Sequence, residues 1–261
     1  MRHDSSILTE SCRSMGITLT NEQLSQFMDY YEYLIEKNQV MNLTAITEYE
    51  DVVRKHFVDS LSIVRVCDMQ KCDTLIDVGT GAGFPGVPLK IAFPHLRVVL
   101  LDSLNKRVQF LNELIDKLRL KEITAVHGRA EDYGKEKEYR EQFDLCVSRA
   151  VANLSSLSEY CLPFVRVNGQ FISYKSTNIN MEIEDAQTAI RLLGGNVVQT
   201  EDFQLPESDI SRSFLVIQKE RPTPAKFPRK AGLPSKEPLS ASTRPKVKKE
   251  RRVSQHAANP Q

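Results

Sequence analysis

The sequence predicts an α/β protein: a doubly wound, mainly parallel sheet of seven strands, with a helical cap before it and a basic tail after it. Three observations predict this. The stretch Leu75 to Gly86, LIDVGTGAGFPG, runs from an apolar strand through a glycine-rich turn into a helix start. Strand-like and helix-like segments then alternate as far as Leu193, the pattern of βαβ units. Two final strand-like segments have no helix between them, so the last strand is expected to insert antiparallel.

The cap comes first. Thr20 to Lys37 reads as a helix, with Thr20 and Gln23 as a capping box and Leu24, Phe27, Met28, Tyr31, Leu34 and Ile35 on one face. A second helix starts at Thr47 with Glu50 as box partner and buries Val53, Phe57, Leu61 and Val64. His56 lies on or near that apolar face, where a satisfied core or boundary histidine is the commoner role than a catalytic base. Lys55 and Asp59 beside it fit a helix-face ion pair. The domain reading is 1–72 for the cap, 73–220 for the sheet domain and 221–261 for the basic segment.

At the turn, glycines at 79, 81, 83 and 86 supply positive φ and let a ligand lie on backbone, and Pro85 and Pro88 suit the first turn of a helix over Val87 to Phe93. Three readings compete here. Residues 81–86 match G-x-G-x-x-G, a weak dinucleotide fingerprint alone. Asp77 before the first glycine gives D-x-G-x-G-x-G, and a carboxylate there suits a ligand that brings a cation, as S-adenosylmethionine does with its ammonium and sulfonium. The third reading is a structural turn. The next strand, Arg97 to Leu101, ends at Asp102, which can accept from the ribose hydroxyls of either ligand and so does not discriminate.

Beyond it the chain alternates regularly. A helix over Leu104 to Leu118 leads to a strand over Ile123 to His127 and the turn Gly128 to Asp132. The strand Phe143 to Val147 ends in Ser148-Arg149-Ala150, and Asn153 can cap the following helix. Strand Gly169 to Tyr174 ends at Lys175, helix Met181 to Leu193 stops at a double glycine, and Val197 to Phe203 and Arg212 to Ile217 close the sheet. Ligands of such sheets bind beyond the carboxyl ends of the strands, which gathers the glycine turn, Asp102, Ala130-Glu131, Ser148-Arg149 and Lys175 in one crevice. There Gly79 to Gly83 can approach the methionine part, Ala130 and Glu131 an adenine edge, and Phe84 the ligand's side. Arg149 can pair with the ligand's carboxylate, with Asp77 or with Glu131. Structural readings stand beside these: Glu131 or Asp132 as a helix cap, Arg149 in an internal ion pair.

Composition narrows the class. A hydrophobic share of 41% is ample for a core, and no apolar run reaches the length of a membrane span or a signal peptide. The five cysteines form no CxxC, which suits reduced packing residues in a cytoplasmic protein better than zinc ligands. A net charge of +1 hides a split: from Arg221 onward there are 11 Lys and Arg against 2 Asp and Glu, and 7 of the 12 prolines. Such a segment is not expected to bury much, so its last part is expected to be disordered, and Lys246 to Gln261 reads equally as an arm for phosphates or a solvated tail. An acidic body with a basic arm suits nucleic acid better than small acidic metabolites.

On the S-adenosylmethionine reading, the residues present are consistent with one kind of methyl acceptor. Covalent pyrimidine methylation needs a cysteine in the crevice, and Cys146 sits too early on its strand. Exocyclic amine methylation usually shows an Asp/Asn-Pro-Pro-aromatic run where this chain reads Ser148-Arg149-Ala150. A ring nitrogen with an in-plane lone pair, such as guanine N7, needs neither device, and positioning then supplies most of the catalysis.

MNLTAIT (Met41 to Thr47), KHFVDSL (Lys55 to Leu61), DVGTGAGFPG, LLDSLNKRVQFL (Leu100 to Leu111), GRAED, SRAVANL (Ser148 to Leu154) and PTPAKFPRKAGLPSKEPL (Pro222 to Leu239) together resemble the bacterial 16S ribosomal RNA guanine-N7 methyltransferases, also called glucose-inhibited division protein B. The resemblance runs from Leu19 to Leu239 and does not extend to the tail. It implies a class I, Rossmann-like enzyme that uses S-adenosylmethionine on a guanine of the small-subunit RNA or its particle. Carried onto matching residues, its cofactor positions are Gly79, Phe84, Ala130, Glu131 and Arg149, to which the residue-level reading adds Asp77, Gly81 and Asp102. It implies no catalytic base. Lys175, Arg229 and Lys230 are candidate RNA contacts on charge and location. The alternatives are a non-catalytic ribosome-assembly binder that keeps the cradle, and a nicotinamide dehydrogenase; cofactor binding separates all three.

Overall fold

The computed structural model describes residues 4–149, 152–176 and 179–239. In chain order the helices are α1 (Ser6–Ser14), α2 (Asn21–Met41), α3 (Tyr49–Val52), α4 (Asp59–Leu61), α5 (Gly86–Ala92), α6 (Asn105–Lys117), α7 (Ala130–Tyr133), α8 (Leu154–Cys161), α9 (Asn180–Leu192) and α10 (Leu233–Lys236). A π-wound turn, Val53–Val58, joins α3 to α4. The strands are β1 (Thr74–Val78), β2 (Arg97–Asp102), β3 (Ile123–His127), β4 (Phe143–Ser148), β5 (Val165–Lys175), β6 (Gly195–Gln204) and β7 (Ser211–Lys219).

The sheet order is β3-β2-β1-β4-β5-β7-β6. The first five strands are parallel, and β7 lies between β5 and β6, antiparallel to both. That is the predicted arrangement, and its cause is the missing crossover helix between β6 and β7: a short loop can only return the chain antiparallel. The chain reverses from β1 outward through β2 and β3 to β4 on the other side, which opens the switch point at the carboxyl ends of β1 and β4.

Alternation along each central strand splits the core. Leu75, Leu100, Leu145 and Ile172 face one side with α1, α2, α5 and α6. Ile76, Leu101, Cys146 and Phe171 face the other with α8 and α9. The helical cap is therefore an extension of the first face. Thr20 forms the expected capping box with Gln23, whose side-chain amide also donates to Ile91 O at 2.7 Å, tying α2 to the end of α5. The box predicted at Thr47 and Glu50 does not form. That helix starts two residues later, at Tyr49, and its N-cap residue is Glu48, which makes no side-chain cap.

The expectation that the basic segment buries little is corrected for residues 221–239. Thr223, Phe227 and Leu239 are buried, and Arg140 donates to Thr223 O at 2.6 Å and Phe227 O at 2.8 Å. Enough apolar side chains recur among the prolines to dock the segment, and its carbonyls find an arginine. Ala150 and the stretch Lys246 to Gln261 lie outside the described residues. Lys219 fixes the start of this path: fully buried, its ammonium donates to Leu162 O at 2.7 Å, Val165 O at 3.1 Å and Thr223 Oγ1 at 2.7 Å, and pairs with Glu141 at 3.0 Å. Lys219→Ala strands these acceptors and should cost about 2–3 kcal/mol. Urea melts should show a lower midpoint with an unchanged slope.

Candidate functional site

The site is built around the turn after β1. Asp77, fully buried, accepts through Oδ2 from the Thr80 hydroxyl at 2.7 Å and the Gly86 N–H at 2.8 Å, so one carboxylate spans the turn and holds the start of α5. Its Oδ1 is buried with no partner among the described residues. Burial pushes this carboxyl up to about 7, opposed by the two hydrogen bonds. Asp102, at the end of β2, accepts from Gly81 N–H and Leu104 N–H, each at 2.9 Å, and lies 3.4 Å from Arg107. Gly81 has a φ of +63°, and a Cβ there would meet nothing within 4 Å.

Two cavities open at the carboxyl ends of the strands and share Ala152. The first, of about 340 Å³, is lined by Val78, Gly79, Ser103, Ala130, Glu131 and, from the C-terminal segment, Gly232 and Ser235. The second, of about 620 Å³, is lined by Lys55, His56, Asp59, Arg149, Lys175 and Arg212, among others. Both fall in the size range of small-molecule sites.

Of the predicted cofactor residues, Gly79, Ala130 and Glu131 line the first cavity and Arg149 the second. Asp77, Gly81, Phe84 and Asp102 line neither; they form the turn and its backing. Phe84 is enclosed, stacked on Tyr30 (5.2 Å between centroids) and His56 (4.5 Å), with the Arg149 guanidinium 5.1 Å from its centroid.

Several expectations need correction. Arg149 pairs with neither Asp77 nor Glu131: its Nη1 donates to Asp59 Oδ2 at 2.8 Å and to Lys55 O at 3.1 Å. The other oxygen of Asp59 accepts from Arg212 Nε at 2.8 Å, and Lys55 pairs with Asp51 instead of Asp59. Glu131 Oε1 accepts from Gly232 N–H at 2.8 Å. Lys175 is paired with Glu182 at 2.7 Å and only 11% exposed, while Arg229 is held by the fully buried Glu159 at 2.6 Å. Neither cation is free for a phosphate as it stands; Lys230 is exposed.

Sequence reading missed Asp59, Arg212 and the C-terminal lining as site residues, and placed His56 only as a core or boundary residue. His56 is buried, but its ring meets Thr44 Oγ1 at 2.9 Å and lies 3.2 Å from Arg149 Nη2. Burial and the neighbouring Arg149 hold its pKa down to about 3, so it is a neutral imidazole. The signal was present in KHFVDSL: His56 and Asp59 stand three residues apart, a spacing that places both on one helix face, and both line the second cavity.

The sheet order, the glycine turn under a buried carboxylate and the cavity beside it define the class: an S-adenosylmethionine-dependent methyltransferase of class I. The donor set fits that cofactor, since an unpartnered buried carboxylate oxygen suits an ammonium and would repel a pyrophosphate. The fold matches an O-methyltransferase from Bacillus cereus solved with SAH (TM-score 0.52, 17% identity, covering 72% of this chain and 90% of that one). It also matches a chain of the complex between the Haloferax volcanii Trm112 methyltransferase activator and a methyltransferase (TM-score 0.53, 13% identity, covering 72% and 98%).

Residues 23–211 match the family described as rRNA small subunit methyltransferase G, and the chain belongs to that family. Relatives called ribosomal RNA small subunit methyltransferase G include one from Lachnoclostridium phytofermentans, 52% identical over 90% of this chain and 98% of its own length. Another, from Alkaliphilus oremlandii, is 53% identical over 89% and 98%. Among the described residues no helix is long and apolar enough to cross a membrane, and no group of His, Cys, Asp or Glu could hold a metal ion.

Proposed function

We propose that the protein transfers a methyl group from S-adenosylmethionine to N7 of a guanine in 16S ribosomal RNA, as free RNA or within the small subunit. The family supports the substrate class. What supports N7 is the second cavity's chemistry: among the described residues its lining offers no free carboxylate base and no cysteine nucleophile. His56 is neutral but stacked and buried, Asp59 is held between two arginines, and Cys146 is fully buried within its strand. Guanine N7 carries an in-plane lone pair and loses no proton before it attacks, so it needs neither.

The cofactor supplies a methyl group activated by its sulfonium. The chain's residues do the rest. Gly79 to Gly83 would be the backbone floor of the ammonium end, with the Asp77 carboxylate behind that turn; Ala130 and Glu131 would flank the adenosyl end. Arg149, fixed by Asp59 and Phe84, stands where the second cavity begins. Lining that cavity are Lys55, Arg149, Lys175 and Arg212 against Asp59 and Glu182, a net positive wall for an RNA strand. Positioning the two reactants accounts for most of the rate, on the order of 7–11 kcal/mol in well-oriented cases.

Asp77 gives this reading a pH signature. Its carboxyl titrates at about 7 in the folded protein against 3.8 in an unperturbed chain. Between these values the folded, ligand-free state holds a proton that the unfolded chain has released, so this contribution to stability falls as pH rises through the window. A cationic ligand end favours the ionised form, so binding releases the proton. Affinity for S-adenosylhomocysteine should therefore fall by up to about tenfold per unit below pH 7. Calorimetry at several pH values should show this slope in the native protein and its loss in Asp77→Asn.

The acceptor position is tested by strand chemistry. Small-subunit RNA from cells lacking the gene, incubated with the protein and S-adenosylmethionine, should gain one site cleaved by borohydride and aniline, as N7-methylguanine is. Methylated RNA that resists cleavage would move the acceptor to another atom.

A further inference from the structure

We infer that the C-terminal strap, residues 229–236, is a clasp of the cofactor site: it forms the outer wall of the adenosyl cavity and sets how tightly the cofactor is held. The inference rests on the cofactor reading above and assigns a part of the site to a segment that lies outside the sheet domain.

The strap is anchored on both sides of the cavity. Before it, Phe227 is buried in the core under α8 and α9, and after it Leu239 is buried in the same cluster. At its start Arg229 makes a forked pair with Glu159 of α8: Nη2 to Oε2 at 2.6 Å and Nε to Oε1 at 2.9 Å, with the Arg229 N–H adding a third bond to Oε1 at 2.8 Å. Glu159 is fully buried, so this pair forms only while the strap is docked. Further along, the buried Ser156 hydroxyl donates to Pro234 O at 2.7 Å. These contacts hold the strap to α8, one wall of the cavity.

Between the anchors the strap has little of its own to bury; Pro234 is its one buried residue. What it faces is the cavity. Gly232, in the left-handed region at a φ of +80°, donates its N–H to Glu131 Oε1 at 2.8 Å, and both Gly232 and Ser235 line the cavity together with Val78, Gly79 and Ala130. Glu131 is 6% exposed, so this hydrogen bond joins the strap to a largely desolvated carboxylate that itself lines the cavity. A ligand in this cavity would be enclosed by sheet residues on one side and the strap on the other. Gly232 is thus a positioning residue acting through Glu131, and Ser235 is wall.

Two variants away from the core test this. Ser235→Trp, at an exposed position, fills the cavity from the strap side. Gly232→Pro removes the donor to Glu131 and cannot adopt a positive φ, so it releases the strap while Arg229 and Glu159 stay paired. Binding is read by calorimetry with S-adenosylhomocysteine and with 5′-methylthioadenosine, which keeps the adenosyl end and lacks the amino acid. Ser235→Trp should melt as the native protein does without ligand, Gly232→Pro should melt lower but in one cooperative transition, and both should bind both ligands at least tenfold more weakly. Added S-adenosylhomocysteine should also slow amide exchange over 229–236 in the native protein. Variants that bind both ligands as the native protein does, or exchange that ignores the ligand, overturn the clasp. Weakening confined to S-adenosylhomocysteine overturns its placement at the adenosyl end. A native protein that binds neither ligand overturns the cofactor reading and the clasp with it.

Discussion

Arg149→Ala should lower methyl transfer about 100-fold, the size of loss expected when a reactant is misplaced by about an ångström. The guanidinium is where three parts of the site meet. It donates to Asp59 from the cap, lies over Phe84 from the glycine turn, and lines the second cavity from the end of β4. Removing it frees one oxygen of a 2% exposed carboxylate and uncovers the Phe84 ring, while Arg212 keeps hold of the other oxygen. The stability cost should accordingly be about 2–3 kcal/mol, that of a hydrogen bond to a charged group rather than of an orphaned buried ion. Arg149→Lys should rescue little, because an ammonium cannot reach Asp59 and Lys55 O together while lying flat on an aromatic ring. Steady-state transfer rates together with urea melts separate the two effects. A variant that transfers methyl at the native rate would remove Arg149 from the site.

Gly86→Val should abolish cofactor binding and reduce activity by 100-fold or more. A Cβ at Gly86 would lie 2.3 Å from Leu100 Cδ2 and 3.0 Å from Asp77 Oδ2. Leu100 would have to change rotamer within a packed core, and Asp77 Cβ, 3.1 Å away, has no such freedom; overpacking of this kind costs about 1–3 kcal/mol and sometimes more. The larger consequence is at Asp77, whose Oδ2 accepts the Gly86 N–H: displacing α5 breaks that bond and turns the carboxylate that organises the turn. Titration with S-adenosylhomocysteine should show no binding in a protein that is still folded by circular dichroism. Binding within threefold of the native protein would mean that the turn tolerates the shift.

The sheet was legible because its cues are local. An apolar strand, a glycine turn and a helix start declare β1 and α5, and the absence of a helix between β6 and β7 declares the antiparallel insertion. The turn's residues were legible for the same reason. What could not be read was which side chains meet across long separations. Asp59 lies 90 residues from Arg149 and 153 from Arg212, and nothing in their local sequence favours one partner over another. His56 was assigned by its apolar neighbours, yet it lines the second cavity beside Asp59 and Arg149. The C-terminal segment misled through its composition: prolines and basic residues suggested a solvated tail, yet Phe227, Leu239 and the Arg229–Glu159 pair dock residues 221–239 against α8. Arg229 and Lys175 looked like phosphate contacts because their partners, the buried Glu159 and the half-buried Glu182, lie on other elements.

The most direct measurement is transfer of labelled methyl from S-adenosylmethionine to small-subunit particles, and to their free RNA, from cells lacking the gene, with the product digested to nucleosides. The account predicts label in N7-methylguanosine, lost with Arg149→Ala and with Gly86→Val. Label in any other nucleoside, or none in either substrate from a protein that binds S-adenosylhomocysteine, would contradict it.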